Sequence, residues 1–349
     1  RRGVRVRYRI DGVLHEVMPL PKYIQAPLIS RLKIMSEMNI AERRIPQDGR
    51  IPIRWDNKDY DLRVSCLPTV HGEKIVMRIL DKGSVMIGLG KLGFTEENQL
   101  KIEELVSQPN GLFLCTGPTG SGKTSTLYAS LNKLDRKTRN IVTVEDPIEY
   151  EFQDNVTQVQ VTEKMTFPRV MRAFLRQDPD VMMVGEMRDP ESLKIGIQAS
   201  LTGHLVLTTL HTNNAQKTID RIIDVFPADQ QSQVRTMLAA SLRGVVAQLL
   251  CKRVDKPGRT AVHEIMFATP AVAAIIREGA TQKLYDVITG GKNEGMQFMD
   301  ESIWGKLKSG MISPEEAYMK AIDKTRFKRF LPAASQHLGD ASGESPLTH

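Results

Sequence analysis

Apolar and polar residues alternate through Val4-Arg5-Val6-Arg7-Tyr8-Arg9-Ile10, the period of a strand with one face buried. Asp11-Gly12 and the run Val13 to Val17 then predict an antiparallel hairpin closed by an Asp-Gly turn. From Pro21 to Met38 the period changes, and Ile24, Leu28, Leu32 and Met35 recur at helical spacing. A polar turn at Gln47-Asp48-Gly49-Arg50 precedes three strand-like runs, Ile51 to Trp55, Tyr60 to Leu67 and Glu73 to Leu80. Residues 1–82 therefore predict a small α+β domain, and because the chain opens in mid-strand without a Met we expect that domain to be incomplete.

Residues 83–95 have linker composition, with Gly83, Ser84 and glycines at 88, 90 and 93, before a helical pattern from Glu96 to Val106. From Gly111 onward short, continuous apolar runs alternate with helical segments. They are Gly111 to Thr116, Ile141 to Val144, Asp180 to Glu186 and Leu205 to Leu210. Strands apolar on both faces belong to a parallel sheet covered by helices, so residues 96–228 predict an α/β core. Residues 229–332 read as mostly helix, and 333–349, rich in Ser, Gly, Ala and Pro, as a disordered tail.

Composition narrows this little further. The 349 residues are 41% hydrophobic and 26% charged, ordinary for a globular protein of two domains. No run is long and apolar enough to span a bilayer. No signal or transit segment is recognisable, and Cys66, Cys115 and Cys251 are too scattered for a metal cluster, so we expect a cytoplasmic setting without zinc. The net charge of +7 is spread among interleaved acids and bases, which by itself selects neither nucleic acid nor a membrane face.

The chemistry centres on Gly117-Pro118-Thr119-Gly120-Ser121-Gly122-Lys123-Thr124, which fits the phosphate-binding pattern G-x-x-x-x-G-K-[ST]. An apolar strand precedes it and a helical segment from Ser125 to Leu134 follows, the setting that turns backbone N–H groups and a helix N-terminus onto phosphate. Lys123 would reach the outer phosphates, and the Thr124 hydroxyl would hold Mg²⁺. Glu145, Asp146 and Glu149 follow a second strand and suit a divalent ion or a water, although the same pattern fits a solvated loop. Glu186, ending a third strand, is the candidate general base and a Mg²⁺ ligand through water; capping the helix from Pro190 is its alternative role. His204 and His211 bracket a fourth strand and lie about 20 Å apart, too far to share a metal ion. His211, on the ligand side, would sense the terminal phosphate, while His204 would face a neighbouring subunit; for both, a structural histidine is the rival reading.

Four segments, GPTGSGKT, VTVEDPIEY, DPDVMMVGEMRDPE and LTGHLVLTTLHTN, resemble in order and spacing the Walker A, Asp box, Walker B and His box of the type II/IV secretion ATPase superfamily. The resemblance extends over about residues 4 to 330. It implies a homohexameric ring of ATP- and Mg²⁺-dependent motors, each with a PAS-like N-terminal domain and a RecA-like motor domain. It implies work at the cytoplasmic side of an inner-membrane pilus platform, without membrane insertion and without nucleic acid. Residue by residue it assigns Glu186 to water activation, Glu145, Asp146 and Glu149 to the Asp box, and His204 and His211 to the His box. Arg63 and Arg78 match the phosphate-sensing pair, for which a surface ion pair is the plain alternative. Within the superfamily, Cys251 stands where assembly and secretion motors usually carry two C-x-x-C pairs, and Gly295-Met296-Gln297-Phe298-Met299-Asp300 is similar to the PilT-type retraction branch. The opening strand and the Arg63 segment are closer to PilB-type assembly motors. The sum leans to retraction and twitching motility, with assembly or type II secretion as the alternative. A nucleic-acid translocase is the reading from another class, and 5% aromatic residues give it little to stack bases on.

Overall fold

The computed structural model describes residues 3–10, 13–81, 88–152 and 154–332; the expected Asp11-Gly12 turn, the Gly83-Ser84 part of the linker and the 333–349 tail lie outside them. The chain divides into two units at Val85, inside the segment read as linker.

In the first unit β1 (Gly3–Ile10) pairs antiparallel with β2 (Val13–Pro21). Helix α1 (Gln25–Met35) follows, then a meander of β3 (Gln47–Trp55), β4 (Lys58–Thr69) and β5 (Gly72–Asp81). Asp56 and Asn57 both take positive φ, the two-residue turn that matches the twist of β3 and β4. Ile51, Val64 and Cys66 are buried with Met38, packed by Leu32, Leu62 and Ile75. Period two then sends their neighbours to the opposite face, where register sets Arg50, Arg63 and Arg78 side by side across the three strands.

The second unit is built on a sheet that, among the described residues, has seven strands. They are β6 (Gly111–Thr116), β7 (Ile141–Glu145), β8 (Val156–Gln160), β9 (Val181–Val184), β10 (Leu205–Leu210), β11 (Leu242–Lys252) and β12 (Arg259–Phe267), in the order β12-β11-β6-β10-β9-β7-β8. All pairings are parallel except that of β11 with β12. Every residue of β6, β7, β9 and β10 is buried, which explains why these strands read as continuous apolar runs.

Helices α2 (Glu96–Val106), α3 (Lys123–Leu131), α4 (Phe167–Phe174), α5 (Pro190–Leu201) and α6 (Ala215–Asp224) accompany the sheet. Beyond them come α7 (Ala228–Ser241), α8 (Pro270–Glu278), α9 (Leu284–Gly290), α10 (Met299–Lys308), α11 (Pro314–Lys320) and α12 (Lys324–Lys328). The expectation of helix for most of 229–332 needs correction, because β11 and β12 run through it and extend the main sheet. Val245-Val246-Ala247 and Val262-His263-Glu264-Ile265-Met266 are buried on both faces, so they lack the alternation that marks a strand. Among the described residues no helix is long and apolar enough to cross a membrane.

Candidate nucleotide site

The carboxyl ends of β6, β10, β9 and β7 lie side by side, and the loops leaving them carry the candidate residues. A parallel sheet binds ligands along that edge, because all its strand-to-helix turns open there. The phosphate loop leaves β6 at Gly117, whose N–H donates to Leu210 O at the end of β10, 3.2 Å away. Gly117 and Gly122 have φ of +145° and +89°, and a Cβ on Gly117 would lie 2.2 Å from Gln248 O. Only glycine fits so twisted a loop against so close a neighbour. Lys123 begins α3 and is buried, with Nζ donating to Gly117 O (2.8 Å) and Pro118 O (3.0 Å). Burial holds its pKa below the usual lysine value, against the opposing charge of Glu186. The ammonium is thus held inside the loop curve, where a phosphate oxygen would replace the carbonyls. Ser121 Oγ, also buried, has no hydrogen-bond partner among the described residues. A loop with a stored cation, an idle hydroxyl and a helix N-terminus behind it fits the phosphates of a nucleotide. Half-buried Thr124, in the first turn of α3, is available to an accompanying Mg²⁺.

The loop is held from behind by a residue that the motif pattern misses. Gln248 of β11 is buried; its Nε2 donates to Ser121 O (2.6 Å) and its Oε1 accepts from Thr126 Oγ1 (2.8 Å). A polar residue amid the apolar run Val245 to Leu250 was the available signal.

Glu186 follows β9 and is mostly covered, with a relative exposure of 16%. Its carboxylate pairs with Arg188 and, through Oε2, with His211 Nε2 at 3.2 Å. Burial pushes its pKa up, but the hydrogen bonds and charges of Arg188 and His211 prevail and hold the carboxyl below its ordinary value. Ionised at neutral pH and in electrostatic contact with Lys123, it is placed to accept a proton from water beside the phosphates. It does not cap the following helix, since Asp189 does so by accepting from Ser192 N at 2.8 Å.

Two expectations are corrected. Glu145 is buried, and its oxygens are taken by Tyr128 OH, Thr143 Oγ1 (2.7 Å) and Gln158 Nε2 (3.1 Å). Burial raises its pKa, against those hydrogen bonds. It joins α3, β7 and β8, and burial with both oxygens already accepting hydrogen bonds keeps it from water, so a catalytic role does not fit. Glu145 is the last residue of a strand covered on both faces, whereas Asp146, just beyond the strand, is exposed and within electrostatic reach of Arg188. Glu149 is tied to the same joint, its N–H donating to Tyr128 OH at 3.3 Å. His204, expected among the nucleotide contacts, lies at the amino end of β10, the far edge from the phosphate loop. Its Nδ1 faces Ala199 O at 3.0 Å. His211, at the near end, meets Glu186.

A phosphate loop, a carboxylate on the strand beyond the neighbouring one and a histidine on the strand between them, all on a parallel sheet, define a RecA-like P-loop ATPase. The chain belongs to the family described as Type II/IV secretion system protein, matched over residues 1–318. It is 41% identical over 336 residues to type II secretion system protein HxcR of Pseudomonas aeruginosa, covering 89% of this chain and 70% of that protein. It is 50% identical over 259 residues to type II secretion system protein E of the same organism, covering 73% of this chain and 50% of that one. Among solved structures it is similar to that of the pilus retraction motor PilT with bound ADP, at a TM-score of 0.76 and 31% identity over 94% of both chains.

Proposed function

We propose that this protein is a homohexameric, Mg²⁺-dependent ATPase motor of a type II secretion or type IV pilus machine, acting on an inner-membrane platform from the cytoplasmic side. The observation that carries the reading is the pairing of Glu186 with His211 beside Lys123. It supports reading the three, on adjoining strand ends, as a base, a phosphate sensor and a phosphate-binding cation. In this reading the loop N–H groups and Lys123 hold the phosphates, and Glu186 accepts the proton of the attacking water once Arg188 yields its place. His211 carries the state of the terminal phosphate to α6. Mg²⁺, held by Thr124 and through water by Glu186, would neutralise phosphate charge. Asp146, exposed and within electrostatic reach of Arg188, would be an Asp-box residue open to the nucleotide. Arg63 and Arg78, which the resemblance matches to the family's phosphate-sensing pair, would supply further cations to a terminal phosphate.

The greater identity to the secretion proteins supports export as the work done. Pilus retraction is the second reading, supported by Gly295 to Asp300 and by the likeness to PilT. Steady-state ATP hydrolysis and particle mass of the wild type and Glu186→Gln test the motor itself. The variant is expected to form the same six-subunit particle and bind ATP while losing at least 100-fold in turnover. Turnover at the wild-type rate would refute the assignment. Complementation of secretion-deficient and retraction-deficient cells would then separate the branches.

A further inference from the structure

Glu264 lies on β12, away from the phosphate loop and outside every motif described above, yet it is a fully buried carboxylate. Burial of that kind is costly unless the oxygens are satisfied. Both are: Oε1 accepts from Ala215 N at 2.8 Å and Oε2 from Met299 N at 3.4 Å. Ala215 opens α6 and Met299 opens α10, so one carboxylate sits at the positive ends of two helices. Phe298, the N-cap of α10, makes no side-chain cap of its own, and Glu264 takes that place.

The two helices come from different parts of the unit. Helix α6 continues the loop that starts at His211, and only Thr212, Asn213 and Asn214 separate that histidine from Ala215. Those residues are themselves stiffened, Thr212 Oγ1 meeting Thr218 Oγ1 at 2.6 Å and Thr218 Oγ1 donating to Asn214 O at 2.7 Å. Helix α10 belongs to the C-terminal helical part, and Gln297 just before it is stitched to β12 by a two-way backbone bridge with Ile265. One residue into α10, Asp300 accepts from Ile322 N and Asp323 N, both at 2.8 Å, so the connection runs on towards α12.

We propose that Glu264 is a positioning residue for ATP hydrolysis, holding the His211 loop in register with Glu186 and tying it to the C-terminal helices. The inference rests on the reading of Glu186 and His211 given above. A shift of the segment from Gly295 to Asp323 would pull on the carboxylate and so on the start of α6, and nucleotide state would pass the other way. The loop that touches the base and the helices outside the sheet then move as one body.

The test is a double-mutant cycle on the purified full chain, with Mg²⁺-ATP turnover as readout. Glu264→Gln keeps the shape but can accept only one of the two N–H bonds. Ala215→Pro removes the other end of the same bond at the first helical position, where proline is tolerated. Each is expected to lower kcat about 10- to 100-fold with KM changed less than about threefold, the loss of a hydrogen bond to a charged group expressed in the chemical step. Combined with His211→Ala, Glu264→Gln should add no more than about twofold, because both act through one loop. Losses that multiply, or wild-type kcat in both Glu264→Gln and Ala215→Pro, would overturn the proposal. If Glu264→Gln does not fold, Ala215→Pro decides. A Glu186→Gln variant run alongside separates the failures: if it hydrolyses freely the site reading falls, and if it is dead while Glu264→Gln is fully active only this inference falls.

Discussion

Replacing Gln248 with Met keeps the length and most of the volume of the side chain while removing both polar ends. In the wild type those ends hold Ser121 O at 2.6 Å and Thr126 Oγ1 at 2.8 Å, with Gln248 fully buried. A buried polar group stripped of its partner costs about 1–3 kcal/mol, so two of them set a ceiling of about 6 kcal/mol. Thr126 Oγ1 retains a long contact with Gly122 O at 3.4 Å, and the thioether restores dispersion contacts, which brings the loss to about 2–4 kcal/mol. A domain stable by about 5–15 kcal/mol survives that. The share that falls on the phosphate loop alone lowers the fraction of molecules with the loop formed, and apparent affinity falls by the same factor. If about 1.4–2.8 kcal/mol is local, ATP binds about 10- to 100-fold more weakly, while kcat at saturation changes little. Calorimetric titration with ATP, paired with thermal melting of the nucleotide-free protein, measures both shares. Affinity within twofold of wild type in a variant that melts lower would show that Gln248 supports the sheet and not the loop.

Tyr128→Phe should leave Glu145 Oε2 and the Glu149 N–H without their shared hydroxyl, lowering stability by about 1–3 kcal/mol in urea titrations. Unchanged stability would mean that the joint between α3 and the loop after β7 carries no load. Glu264 gives a pH dependence. Burial raises its pKa from 4.5 to about 7, opposed by the Ala215 and Met299 N–H groups and reinforced by the charge of Asp300. The folded state therefore holds a proton that the unfolded state has released, so stability from this group is fullest below about pH 4.5 and is lost as pH rises to about 7. The difference is at most about 3 kcal/mol. Glu264→Gln should flatten that slope between pH 5 and 8 in paired urea midpoints, and parallel slopes for variant and wild type would contradict the assignment.

The phosphate loop needed no structure to be found, because its glycines, lysine and threonine are consecutive and their conformational demands are local. The position of Glu186 and His211 on the phosphate-loop edge was legible for a related reason. Each ends an apolar strand, and in a parallel sheet the ends of strands are where ligands bind. Glu145 was misread since its position on the same edge says nothing about which way the last residue of a strand turns. His204 was misread because a histidine beside a strand looks alike at either end, while only one end faces the phosphates. The strands β11 and β12 were hidden in a region read as helix, since burial on both faces erases the period that distinguishes the two.

The sequence by itself determined the ATPase class and the parallel α/β core, both of which depend on local conformational preference and on the period of burial. Only the tertiary structure decided which polar residues support that chemistry. Gln248, Tyr128 and Glu264 act on groups 127, 17 and 49 positions away, and a single buried carboxylate or amide in an apolar run does not announce its partner. The physical reason is that a buried polar group must be satisfied, but what satisfies it is fixed by which strands and helix ends the fold brings together.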